Sequence, residues 1–198
     1  MPSAKNFLAS VLFAIFSVSV AAYGSAKFKA AVSYAVGTKP SAAAVGDFNG
    51  DGKPDIVVIN SGDASVGDNG GLSILLGNGD GTLKSATNVS AGTNPLAVAV
   101  ADFNGDGRAD LVLADSSGIG MLLGNGDGTF DTLTHIASTG FSAFVTGDFN
   151  RDGRLDLAIV DASGSLAVLL GNGDGTFQGP TRVVTSNGAF FHCRRRFQ

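Results

Sequence analysis

The sequence contains no tryptophan, no glutamate and a single cysteine. The lone Cys193 rules out an internal disulfide, so an exported chain of this kind needs another staple, and a bound metal is the obvious one. Only His135 and His192 are present, with no second ligand spaced near either, and no cysteine pair, so a zinc site is excluded. No GxSxG, P-loop or HExxH segment occurs. Ser163 and His135 read as loop and strand residues rather than a catalytic pair, and the chain is expected not to be an enzyme. Tyrosine occurs only at Tyr23 and Tyr34, which leaves little aromatic surface for stacking on sugar. Charge is sparse at 15%, against 44% apolar residues, the reverse of a disordered chain. A net charge of −4 disfavours a nucleic-acid partner.

All 17 acidic residues are Asp, and nine of them fall in three short segments. Asp is the short carboxylate suited to tight oxygen cages and turns. The N-terminus differs from the rest. Lys5 precedes the uncharged run Phe7–Ala22, and small residues follow through Ala26. This reads as a secretory signal peptide over residues 1–26, cleaved after Ala22 or Ala26, with no other segment able to span a membrane. A secreted or cell-surface protein is expected.

Two segments repeat. DFNGDG begins at Asp47 and Asp102 and returns as DFNRDG at Asp148; LLGNGDGT begins at Leu75, Leu122 and Leu169. The LLGNGDGT copies are 47 residues apart both times, whereas the first two Asp segments are 55 apart. The excess lies at Ser61–Gly71 and reads as a loop insertion. Each repeat holds four short runs rich in Val, Ile and Leu, bounded by Gly, Asp and Asn. In the second these are Leu96–Ala101, Leu111–Ala114, Ile119–Leu123 and a weaker run near Leu133–Ala137. Runs such as IVVI at Ile56–Ile59 are apolar throughout, so both faces of each sheet are buried. Four-stranded units sandwiched between neighbours are β-propeller blades. The predicted fold is all-β, with three blades over about 41–92, 96–139 and 142–185. One extra strand is expected at Phe28–Val36 and a degenerate tail at 186–198. Three blades are too few to close a ring, so an open propeller with self-association is expected.

Each Asp segment reads Asp-x-Asn-x-Asp-Gly-x-x-Asp. Positions one, three, five and nine offer side-chain oxygens: Asp47, Asn49, Asp51 and Asp55; Asp102, Asn104, Asp106 and Asp110; Asp148, Asn150, Asp152 and Asp156. Position seven (Lys53, Arg108, Arg154) can add its backbone carbonyl while its side chain points to water. Hard oxygens on a flexible loop suit Ca²⁺, about three ions in all. An EF-hand is excluded, because position twelve is Val58, Leu113 or Ile159 within a strand run rather than Glu. Asp80, Asp127 and Asp174 lack the alternating oxygen pattern and read as turn residues. Phe48, Phe103 and Phe149 are expected to anchor the loops in the core.

DFNGDGxxD followed by an apolar strand and LLGNGDGTF resembles the FG-GAP/VCBS-type repeats, over about Phe28–Val184. The resemblance implies a calcium-stiffened propeller of the bacterial secreted type, with the loop positions above as ligands. A clear Phe-Gly…Gly-Ala-Pro pair is missing, so integrin-like ligand recognition is not implied. The expected function is a non-enzymatic binding or adhesion module for an extracellular protein or glycan. The alternatives are a lectin-like propeller and the repeat part of a larger extracellular enzyme.

Overall fold

In the computed structural model, the described residues are 30–137, 141–161 and 164–183. The segment Phe7–Ala22, the tail with His192 and Cys193, and Ser163 lie outside them. Among the described residues no helix is long and apolar enough to cross a membrane. The chain divides into residues 1–33 and a unit from Tyr34 onward. The described strands all lie in the second.

Among the described residues, twelve strands form three four-stranded antiparallel sheets. Blade one holds β1 (Pro40–Gly46), β2 (Asp55–Asn60), β3 (Gly71–Leu75) and β4 (Thr87–Val89). Blade two holds β5 (Ala97–Ala101), β6 (Asp110–Asp115), β7 (Gly118–Leu122) and β8 (Thr134–Ala137). Blade three holds β9 (Phe141–Gly147), β10 (Asp156–Asp161), β11 (Leu166–Leu169) and β12 (Thr181–Val183). Each strand pairs with the next in sequence, so every blade is a simple meander. The extra strand expected at Phe28–Val36 does not form over its described residues, 30–36. Instead the Tyr34 hydroxyl accepts from the Leu83 amide (3.0 Å), and the Gly37 amide donates to Ser73 Oγ (3.2 Å).

The uninterrupted apolar runs are explained by what each face meets. Side chains alternate along a strand, so a strand between two neighbours must be apolar at every position. From blade one, Val57, Ile59, Leu72 and Ile74 pack on Leu111, Leu113 and Leu122 of blade two. The intervening residues Val112, Ala114 and Met121 pack on Leu157, Ile159 and Leu169 of blade three. Each fully buried Leu or Ile in these layers contributes roughly 2 kcal/mol. The fan is not closed: β1 meets β5, and β5 and β6 meet β9.

The insertion in repeat one is an ordered excursion. A 3-10 turn, Ala64–Val66, is capped by the Asp63 carboxylate, which accepts from the Ser65 amide (3.1 Å). Lys39 holds that carboxylate from the other side at 3.0 Å.

Candidate metal centre

Each Asp loop joins the first two strands of its blade, so all three occupy equivalent ends of the fan. The loop closes on its first carboxylate. Asp47 accepts from the Asp51 and Gly52 amides (3.2 and 2.8 Å). Asp102 accepts from Asp106 and Gly107 (3.2 and 2.8 Å), and Asp148 from Asp152 and Gly153 (3.1 and 2.9 Å). The sharp reversal needs positive φ at position six, met by Gly52, Gly107 and Gly153 at 75°, 82° and 83°. The Asn at position three accepts from the position-five amide, at 3.1 Å for Asn49 and 3.0 Å for Asn104 and Asn150.

The position-five carboxylate carries the exposed charge. Asp51 Oδ1 accepts from the Lys53 amide at 2.9 Å, and that bond holds its carboxyl below the ordinary value. Asp152 is lowered too, first by the Asn150 side-chain amide and then by the Arg154 amide. The basic side chain at position seven is exposed to water, as expected, and also turns back toward its own loop. Lys53 Nζ lies 3.2 Å from Asp51 Oδ2, while Arg108 and Arg154 come within 3.8 and 3.9 Å of Asp106 and Asp152. Three carboxylates in nine residues need a counter-charge, and the neighbouring cation supplies part of it.

The ninth-position Asp stands apart from the other three. Asp55, Asp110 and Asp156 open β2, β6 and β10 and are wholly buried. Asp55 accepts from the Phe48 amide (2.8 Å) with one oxygen and from the Gly77 amide (2.7 Å) with the other. Asp110 joins Phe103 to Gly124 (2.9 and 2.8 Å), and Asp156 joins Phe149 to Gly171 (2.8 and 2.9 Å). Burial raises the Asp110 carboxyl, against the pull of these two amides. The glycine is required: a Cβ on Gly77 would sit 2.2 Å from the Pro54 carbonyl oxygen. Sequence reasoning placed this Asp among the ligands and missed the clamp that it also forms. The available signal was its place as first residue of an apolar strand, facing a glycine that follows two leucines in every repeat.

Among the described residues no three carboxylates or imidazoles converge on one point. The donor set still fits a hard cation in kind. Asp47, Asn49, Asp51 and the Lys53 carbonyl are oxygens at or near the surface, and their counterparts recur in the other loops.

The LLGNGDGT segments form the expected turns. Asp80 Oδ1 accepts from the Thr82 amide (2.9 Å) and hydroxyl (2.6 Å), which lowers its carboxyl, and Asp127 and Asp174 repeat the pattern with Thr129 and Thr176. These turns also link neighbouring blades. The Gly128 amide donates to the Phe48 carbonyl (2.8 Å), and Gly175 to Phe103 (3.3 Å). Between loops one and two lies a cleft of about 440 Å³ lined by Asp47, Gly50, Asp102, Arg108 and Gly126. His135 faces Asp115 at 3.4 Å rather than a serine.

The FG-GAP-like repeat model matches residues 62–113, 102–159 and 148–192, together more than half the chain, and the FG-GAP repeat model matches 40–75. The chain belongs to the FG-GAP repeat family. No curated protein sequence matches this FG-GAP chain. Among solved structures it is similar to a lectin from Agrocybe aegerita, described for specific recognition of non-reducing terminal N-acetylglucosamine. The two share 29% identity at a TM-score of 0.55 over 73% of this chain. The FG-GAP chain spans 38% of the lectin's length. It is thus a β-propeller repeat module.

Proposed function

We propose that this chain is a secreted, calcium-binding propeller module that binds an extracellular partner without catalysis. The observation that carries the reading is the recurrence of one loop three times, with the same oxygen donors at the same end of each blade. Asp, Asn and Asp at positions one, three and five, with the carbonyl at position seven, would hold the ion. Position nine fixes the loop from below. Bound calcium would offset the clustered carboxylates and stiffen the hairpins whose ends face a partner. Thermal melts of the exported chain test this. Calcium should raise the melting temperature and a chelator should lower it, because a ligand of the folded state stabilises it. An unchanged curve at about 10 mM calcium, well above the affinity of weak extracellular sites, overturns it. Export is tested by N-terminal sequencing, which should read from near Tyr23 or Lys27; an intact Phe7–Ala22 on exported material refutes cleavage.

A second reading takes a glycan as the partner. It is favoured by the similarity to the lectin, and a glycan array separates it from a protein partner.

A further inference from the structure

We propose that a cleft in blade one, built around Asn60, binds a small neutral polyhydroxylated molecule, with the size and chemistry of a single hexose. The site lies away from the Asp loops, at the other end of β2, where the insertion leaves the blade.

The argument starts from one hydroxyl. Ser73 Oγ accepts from the Gly37 amide (3.2 Å) and from Asn60 Nδ2 (2.9 Å), and gives its single proton to Asn88 Oδ1 (2.8 Å). That saturates the hydroxyl and fixes the Asn60 amide with its nitrogen toward Ser73. Asn60 Oδ1 is then left with no hydrogen-bond partner among the described residues, on a residue only 4% exposed. A buried carbonyl oxygen without a donor is unfavourable, and native structures rarely leave one so.

Asn60 lines a cleft of about 350 Å³ with Thr38, Asp68, Asn88 and Ser90, over a floor that includes Leu72. A single water takes up about 30 Å³, and ligand pockets begin near 300 Å³. The lining chemistry selects the ligand. Asn60 Oδ1 and the Asp68 carboxylate accept, and the Thr38 and Ser90 hydroxyls both accept and donate. No Lys, Arg or His lines the cleft, so an anion finds no counter-charge. Several O–H groups on a compact neutral body match this set.

Repeat two shows that the arrangement is particular to blade one. Its counterpart of Asn60, five residues after the ninth-position Asp, is Asp115. That carboxylate is fully engaged by the amides of Thr93, Ser117 and Gly118 (3.2, 2.7 and 2.9 Å) and faces His135. Gly120 stands where Ser73 does, and Leu133 fills the space: a Cβ on Gly120 would lie 2.6 Å from its side chain. The insertion itself delivers Asp68, which is held by the Gly70 amide at 2.9 Å.

Saturation-transfer NMR on the full chain, with glucose, galactose and mannose each at about 10 mM, tests the site at the weak affinity expected of so few contacts. At least one sugar should show transfer. Asp68→Ala and Asn60→Leu should each cut it by about fivefold or more, the loss of one or two hydrogen bonds, and Asp127→Ala should leave it unchanged. Should Asn60→Leu fail to fold, the surface variants Asp68→Ala and Ser90→Ala decide. The proposal is overturned by absence of transfer from all three sugars, or by transfer that survives Asp68→Ala and Ser90→Ala. Transfer lost in Asp106→Ala but kept in Asp68→Ala places the sugar at the Asp loops and overturns it as well. That outcome leaves the calcium reading standing.

Discussion

The ring of Phe48 meets the ring of Phe130 edge-on, with centroids 5.6 Å apart at an interplanar angle of 66°. One ring comes from the Asp loop of blade one, the other from the turn of blade two. Phe103 and Phe177 repeat the contact between blades two and three at 6.4 Å. Phe48 and Phe103 are 2% and 4% exposed, whereas Phe149 is 49% exposed. The same residue in the same loop is core or surface according to whether a following turn covers it. Phe103→Ala should therefore cost about 3–5 kcal/mol, and Phe149→Ala under about 1 kcal/mol. Urea melts of the two variants check this; equal losses would show that the inter-blade ring contact contributes nothing.

Phe149 and Val145 of blade three are both about half exposed, at 49% and 51%. Large apolar side chains left in water favour association. The chain should self-associate at micromolar concentration in calcium, and Phe149→Lys should shift it toward monomer. Sedimentation velocity reads both. A strictly monomeric, freely soluble parent chain argues against the open edge.

The carboxylate of Asp110 accepts one amide on each oxygen, so replacing either oxygen with an NH₂ sets donor against donor. Asp110→Asn should destabilise by about 1–3 kcal/mol with or without calcium. Asp106→Ala should behave differently, losing one bound ion of three with little change in the chelated protein. Asp127→Ala should lose none. Native mass spectrometry counts the ions. An ion lost by Asp127→Ala and kept by Asp106→Ala would mean that the wrong segment has been assigned.

Acid should weaken the fold in a defined window. The Ser65 hydroxyl beside Asp63 lowers its carboxyl from 3.8 to about 2, and threonine hydroxyls lower Asp80, Asp127 and Asp174. A carboxylate depressed in the folded state contributes stability above its unfolded value and loses it as pH falls through the folded one. Asp110 is shifted the other way by burial and partly offsets the loss. The melting temperature should hold down to about pH 4 and fall from there toward pH 2. A melting temperature that stays flat to about pH 2 contradicts these turn bonds.

The architecture was legible because two periodicities coincide. Repeats 47 residues apart set the blades, and unbroken runs such as LVLA at Leu111–Ala114 show that both sheet faces are covered. Turn residues such as Asp127 were legible too, because Asx geometry is local. The clamp at Asp110 was not. Its partner Gly124 is 14 residues away, and only pairing of β6 with β7 brings them together. Spacing alone cannot separate a ligand carboxylate from one that holds two amides. The exposure of Phe149 was hidden for a related reason, since it depends on the neighbouring blade. The Asn60 cleft was invisible because residues from separate strand ends and loops build it.

The links between blades run one way. Gly128 donates to Phe48 and Gly175 to Phe103, so among the described residues each turn reaches back to the loop before it. At the opposite edge, the Leu83 amide is already engaged by Tyr34. The array therefore has a polarity, like a strip of tiles with tongues on one edge and grooves on the other. A repeat duplicated in tandem after blade three brings its turn phenylalanine to the exposed ring of Phe149. One inserted ahead of blade one must first displace Tyr34. Lengthening by duplication is easier downstream than upstream, and the insertion in blade one, with its cleft, rides along unchanged.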